Sequence, residues 1–388
     1  MDRQLFIRYT LVGMVFTFGV GTLQPILSPY LRTLGFSDTH VSWILGLFAI
    51  TVLLLSPLIG YLSDYYGRRN VILSGMGIYL TSLILYMLDG HWMILSIARV
   101  LEGIASVAIG LVAVAAVQDI VDGKTRGQYA GWCFSLRHLA RLIAPVFSGI
   151  IADYYFVRAP FIMVLIVVTI SAILLYFVRE PNVRKIKERD LNILHHLRFF
   201  LSFRSLQGMA VLGGTMHAMH TATFIFLPLY VTGVLGLDYS HVGYAIFILG
   251  VMHLFQFYFG HLSDRFGPWL CVIIGCTISA TSMIMIFFTD SYISLMFLLF
   301  IHGTGNALWN VSAWSLMSDI GEHIQAEGKI ISSYVSFAKI GSVVMAFFAG
   351  MVVAYTSIQS LFIMSGGIVI IGILLALPKL KPSSDHIR

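Results

Sequence analysis

Charge is what this sequence has least of. Its 24 Lys and Arg and 18 Asp and Glu make up only 11% of 388 residues, where a soluble domain carries about 25%. Apolar residues account for 58%, and the mean hydropathy is +0.88. A water-soluble fold of this size could not bury so much apolar surface, whereas lipid accepts it, so the chain reads as an integral membrane protein. Cysteine is scarce too. Cys133, Cys271 and Cys276 all fall in apolar runs, which gives neither a disulfide framework nor zinc-ligand spacing, and they read as small buried hydrophobes. There is no Walker lysine motif and no Ser-His-Asp, HExxH or paired-aspartate arrangement. Enzymatic chemistry, ATP coupling, a metal and a cofactor are therefore not expected. The net charge of +6 would raise the question of nucleic acid in a soluble protein. Here the cations are better read by location, and no nucleic-acid partner is expected.

What the sequence does have is long apolar runs. A hydrocarbon core about 30 Å thick needs about 20 residues of helix. Segments of that size occur near 7–30, 40–62, 71–88, 92–118, 128–152, 159–179, 207–232, 241–262, 270–288, 292–318, 330–354 and 359–377. The expected fold is all-α with twelve transmembrane helices. The first run is longer than a signal-peptide core and no small-x-small cleavage site follows, so it is read as a retained span. Twelve spans put both termini on one side. That side collects 18 Lys and Arg, and the other only Arg32 and Arg158. Positive charge accumulates on the cytoplasmic side, so both termini are expected there, with the protein a monomer in the lipid bilayer of the cell membrane. The longest polar stretch, "REPNVRKIKERDLNILHH" from Arg179, divides residues 1–180 from 207–388. It reads as a cytoplasmic linker over 181–206, partly an amphipathic helix on the inner surface.

The two halves echo each other. "GYLSDYYGRRNVI" from Gly60 is a polar turn between apolar segments, and "GHLSDRFGPWLCVI" repeats it from Gly260. Gly60, Leu62, Ser63, Asp64 and Gly67 recur 200 positions on as Gly260, Leu262, Ser263, Asp264 and Gly267, as do Gly103 in Gly303 and Asp119 in Asp319. Two six-helix halves in parallel repeat place a solute site near the midplane. Gly60 and Gly67 let helix ends approach and the chain turn tightly. Asp64, near a helix boundary, has Arg68 and Asp119 as candidate partners in a breakable inner latch. The alternative is that the arginines merely follow the positive-inside rule.

The turn resembles the signature of the major facilitator superfamily, G-x-L-x-D-R-x-G-R-[RK]. Gly60, Leu62, Asp64, Gly67, Arg68 and Arg69 match it, while Tyr65 stands where a basic residue is usual. The second copy keeps Asp264 and Arg265 but has Pro268 and Trp269 in place of the later arginines. Two further patterns are partly kept. "RVLEG" supplies Arg99, Glu102 and Gly103 against R-x-x-Q-G. Gly131, Ala140, Ala144, Pro145, Ser148 and Gly149 stand on the exporter pattern G-x8-G-x3-G-P-x2-G-G, with small residues where glycine is lost. The resemblance is nearest in pattern to the drug:proton antiporters of the multidrug and tetracycline type. It implies two bundles that alternate access, a path lined by the first, fourth, seventh and tenth helices, and a small-molecule substrate and protons as partners. It also implies a turn cluster that favours the state closed on the inside.

Five charges fall well inside spans: Arg99, Glu102, Arg137, Arg141 and Lys339. An ionised side chain at mid-bilayer costs about 2.5–3.5 kcal/mol, so each needs a reason. Arg137 and Arg141 share a face of the fifth helix. Arg99 and Glu102 are close enough to pair, either as a static pair or with Glu102 as the proton carrier. Four cations against one carboxylate favour an anionic or zwitterionic amphiphile, which is at odds with an exporter of organic cations. His302, the repeat partner of Glu102, begins a stripe with Asn306, Trp309 and Asn310. His217 and His220 on the seventh helix, and Thr17 and Gln24 on the first, are further cavity candidates. The histidines read first as hydrogen-bonded core residues, with substrate or proton contacts as the alternative. Export is the first reading. An uptake carrier, a flippase for a lipid-like substrate and a non-transporting receptor of the same fold are the alternatives.

Overall fold

The structure, a computed structural model, describes residues 3–88, 90–120, 126–177, 198–323, 325 and 327–379. Among them, twelve helices are long and apolar enough to cross a membrane. They are α1 (Gln4–Thr33), α2 (Asp38–Tyr66), α3 (Arg68–Met87), α4 (Trp92–Val117), α5 (Gly131–Tyr154), α6 (Ala159–Tyr176), α7 (Arg204–Val234), α8 (Tyr239–Phe266), α9 (Pro268–Ile286), α10 (Tyr292–His323), α11 (Ile330–Tyr355) and α12 (Ile358–Lys379). No strand occurs among the described residues, and each helix coincides with one of the twelve apolar runs. Helices are what lipid permits, because a spanning segment must satisfy its own backbone. Residues 181–197, most of the expected linker and its amphipathic segment, lie outside the described residues.

The repeated turn has a repeated geometry. Gly67, between α2 and α3, has φ 90°, and Gly267, between α8 and α9, has φ 91°. Both lie in the left-handed half of φ space, where a Cβ is strained and glycine is not. A second correspondence sits at the other end of the helices. Tyr30 of α1 donates its hydroxyl proton to the Tyr86 carbonyl at 2.8 Å, and Tyr230 of α7 donates to the Thr289 carbonyl at 2.7 Å. Tyr30 tilts against Phe161 and Tyr230 meets Phe362 edge-on, with ring centroids 5.3 and 5.7 Å apart.

The chain forms two compact units, residues 1–190 with 237–247, and residues 191–236 with 248–388. The start of α8 belongs to the first unit because Asp153, at the end of α5, accepts hydrogen bonds from the Tyr239 and Ser240 backbone N–H groups at 2.9 and 2.8 Å. A carboxylate at a helix N-terminus satisfies orphan donors and complements the dipole.

Between helices in lipid there is little hydrophobic drive, so close contact of small residues holds them together. In the second unit, α9 and α10 meet at Gly275 and Gly305. A Cβ on Gly275 would stand 2.6 Å from the Trp309 nitrogen, and one on Gly305 would stand 2.7 Å from the Gly275 carbonyl oxygen. Both obstacles are backbone and cannot swing aside. Gly275→Val is therefore expected to cost about 1–3 kcal/mol, the range for overpacking a tight core. Thermal unfolding in detergent micelles would register this as a lower melting temperature, whereas Gly77→Ala, where the space is open, should leave it unchanged.

Candidate functional site

In the first unit the polar turn is knitted to α4's helical continuation. Arg68 is buried, 6% exposed. Its Nη1 meets Asp64 Oδ1 at 2.6 Å and donates to Ser63 Oγ at 2.5 Å, and its Nε donates to Asp119 Oδ2 at 2.9 Å. Asp119 closes the helix Val112–Ile120. One guanidinium thus ties α2 and α3 to the helical turn that follows α4. Ser63 in turn donates to the Gly60 carbonyl at 2.8 Å. Arg69 points elsewhere: it donates to the Leu175 and Tyr176 carbonyls and lies over the Tyr176 ring, so a cation covers the unsatisfied C-terminal carbonyls of α6.

The second unit lacks this clasp. Asp264 and Asp319 are exposed and lie close enough to interact, yet no cation bridges them among the described residues. Arg265 stacks its guanidinium over Phe266 at 5.4 Å. The position corresponding to Arg68 is Pro268, which cannot donate.

Deeper in the first unit, Glu102 of α4 is 1% exposed. Arg99 Nη1 pairs with its Oε2 at 2.7 Å, and the Tyr86 hydroxyl donates to the same oxygen at 2.8 Å. Arg99 has a second set of partners, the Leu45 carbonyl at 3.4 Å and the Phe48 ring at 4.6 Å. One turn beyond Glu102, residues Ser106–Leu111 form a π-helix. Such bulges free carbonyls from the α-helical ladder and are frequent at functional sites. Here the Gly110 carbonyl accepts from Arg137 Nη1 of α5 at 2.9 Å, while Arg137 Nε donates to Thr17 Oγ1 of α1 at 3.1 Å. Arg137 therefore joins α1, α4 and α5. Arg141 follows four residues on and is exposed. Gln24 is half-buried on α1.

The exporter-like pattern on α5 is used in part. Ala144 sits against Gly21 of α1 at the distance a Cβ there would be crowded, 3.0 Å. Pro145 and Gly149 pack on the backbone of α8 around Tyr239 and Gly243. Gly131 does not belong to this packing: nothing stands within 4 Å of where its Cβ would be.

In the second unit, α7 and α10 bring four of the expected residues together. The His217 and Trp309 rings meet edge-on at 5.7 Å, His217 and His220 lie 6.3 Å apart, and Asn306 Nδ2 approaches His220 Nδ1 at 3.4 Å. Lys339 of α11 acts on His217 electrostatically. Asn310 is half-buried on α10. His302 is not part of this group. Its Nδ1 faces the Ser279 carbonyl of α9 at 3.0 Å, and since a carbonyl only accepts, Nδ1 carries the proton. Its place is the α9–α10 seam. Among the described residues no set of three His, Cys, Asp or Glu could hold a metal ion.

The sequence pointed to most charges but not to their neighbours. Tyr86, Phe48 and the Leu45 and Gly110 carbonyls carry no pattern of their own.

Arg68→Ala would leave Asp64 and Asp119 without their shared cation. Both carboxylates keep some solvent (13% and 21% side-chain exposure), so the cost should fall at about 2–3 kcal/mol, below that of breaking a fully buried pair. Chemical denaturation of the purified protein in micelles would measure it, with Arg69→Ala as a milder control.

The sequence profile of the Major Facilitator Superfamily matches residues 9–326, and again 251–388. An uncharacterized transporter of this type from Methanocaldococcus jannaschii is 27% identical over 316 residues, covering 80% of this chain and 81% of that protein. The class C tetracycline resistance protein of Escherichia coli is 26% identical over 282 residues, covering 70% of each chain. Among solved structures, a bacterial homologue of the human lysosomal transporter Spinster superposes with a TM-score of 0.81 at 14% identity, over 97% of this chain and 96% of that one; at that identity the likeness speaks for the fold. With its twelve helices and a profile match over most of its length, this multi-pass membrane chain belongs to the Major Facilitator Superfamily of transporters.

Proposed function

We propose that the protein is a secondary active exporter of a small organic solute, driven by protons entering in exchange and working by alternating access. The observation that carries this reading is Glu102. It is a carboxylate in the middle of a spanning helix, 1% exposed, held by Arg99 and Tyr86. A buried ionisable group in a membrane helix is a functional site by default. Arg99 lets Glu102 change state at low cost. When Glu102 takes a proton, Arg99 loses the pair but keeps the Leu45 carbonyl and the Phe48 ring that it already contacts. The adjoining π-helix ends at Leu111, next to the carbonyl that orients Arg137. A change at Glu102 thus has a short route along α4 to Arg137 on α5. Export is supported by the relative whose name records tetracycline resistance and by the partly kept exporter pattern on α5. The Arg68 clasp serves in this cycle as the element that breaks and re-forms at one end of the bundle, and its position in the cytoplasm follows from the distribution of lysines and arginines.

In proteoliposomes, exchange of one proton per solute across one pH unit sustains an accumulation of about tenfold, since one pH unit and a factor of ten are the same free energy. Glu102→Gln should abolish this ΔpH-driven accumulation while leaving solute–solute counterflow intact. If the variant still accumulates solute to the wild-type ratio, Glu102 is a structural partner of Arg99 and not the proton carrier.

A further inference from the structure

Two guanidiniums lie on one face of α5, and they are treated very differently. Arg137 is anchored through Thr17 Oγ1 and the Gly110 carbonyl. Arg141, one turn on, has no hydrogen bond and no ion pair among the described residues and is exposed. Its position on the helix is not a lipid-facing one. Residues four apart share a face, and the face of Arg137 is the one turned to α1 and α4. The Arg141 backbone itself packs where Gly21 of α1 approaches, 3.2 Å from its carbonyl oxygen to the ideal Cβ there.

Among the described residues no carboxylate answers these two charges. The titratable groups that act on them are each other, Cys133 and His138, and none of these is anionic as a thiol or an imidazole. Like charges one turn apart repel, and each charge in a spanning segment carries an insertion cost. Glu102 does not help, since its charge is already paired with Arg99. The pair therefore holds an uncompensated positive field. Arg141 contributes a planar fork of free N–H donors, which matches the two oxygens of a carboxylate or phosphate.

We infer that Arg141 is the docking point for an oxyanion, and that the solute carried by this protein is an organic molecule bearing a carboxylate or phosphate group. Arg137, fixed by α1 and the π-helix carbonyl, supplies a second positive charge behind it without giving up its own anchors. This inference rests on the exporter reading above for the word "carried"; the docking of an oxyanion at Arg141 stands without it. The same chemistry could reach Arg141 from a soluble organic acid or from the headgroup of an anionic lipid.

The full-length purified protein in detergent can be titrated with 1-naphthoate, 1-naphthyl phosphate and the neutral 1-naphthamide, with binding read by calorimetry. In parallel, its thermal stability can be compared in nanodiscs of phosphatidylcholine with and without phosphatidylglycerol. The two anions, but not the amide, should bind, and Arg141→Gln should weaken that binding roughly 10- to 100-fold, the loss of one charge-assisted contact. Arg141→Lys, which keeps the charge and loses the fork, should fall between. Stabilisation by phosphatidylglycerol alone that Arg141→Gln removes would identify a lipid headgroup as the source and still support an oxyanion site. Equal binding of the amide, or anion binding that Arg141→Gln leaves unchanged, overturns the proposal. The comparison of anion with amide uses the unaltered protein, so a misfolded variant does not empty the test. Anion binding that depends on Arg141, with no ΔpH-driven movement in either wild type or Glu102→Gln, would uphold the site and sink the exporter reading. Proton-driven transport of an organic cation that ignores Arg141 would do the reverse.

Discussion

A charge drawn into a helix bundle must be neutralised, hydrogen-bonded or supplied with a ligand, and this requirement orders the charged groups of the first unit. Arg68, Arg99 and Arg137 meet it in three ways. Arg68 spans two carboxylates. Arg99 shares one carboxylate with a tyrosine. Arg137 leans on a hydroxyl and a carbonyl that a π-helix exposes. Arg141 alone in this series has no protein partner among the described residues, and that contrast carries more meaning than any single distance. The twelve helices supply the scaffold, but the placement of these few groups decides what the scaffold can do.

The repeat makes the same point by comparison. Gly67 and Gly267 share a φ, and Tyr30 and Tyr230 make matching hydrogen bonds, so the backbone plan was duplicated faithfully. The chemistry was not. Pro268 stands where Arg68 clasps two carboxylates, and His302 stands where Glu102 holds a cation. The first unit is rich in fixed ion pairs. The second offers histidines, Asn306 and Trp309 instead. Two copies of one architecture have been given different electrostatic duties.

How far the sequence reveals this depends on the physics of each element. The twelve helices are legible because a spanning segment needs an unbroken apolar length. The turn at Gly67 is legible because positive φ demands glycine. Arg99, Glu102, Arg137 and Arg141 stand out because charge in a span is expensive. What binds them is not legible. Backbone carbonyls such as those of Leu45 and Gly110 are present at every residue, and only three-dimensional packing selects one. His302 illustrates a different difficulty. It shares helical spacing with Asn306, but α10 is buried on several sides, so spacing alone does not separate the face that meets α9 from the face that meets α7. Gly131 shows that a retained letter of a pattern need not retain its contact.

The unanswered guanidinium on α5 also bears on the energetics of a transport cycle. If a solute of charge −1 leaves as one proton enters, two positive charges move inward per turnover. The membrane voltage then acts twice, contributing about 4.6 kcal/mol per 100 mV, on top of any pH difference. Such a carrier would run on voltage even where the two sides have equal pH. Its turnover would generate a measurable electric current, which an electroneutral exchange of a cation for a proton would not.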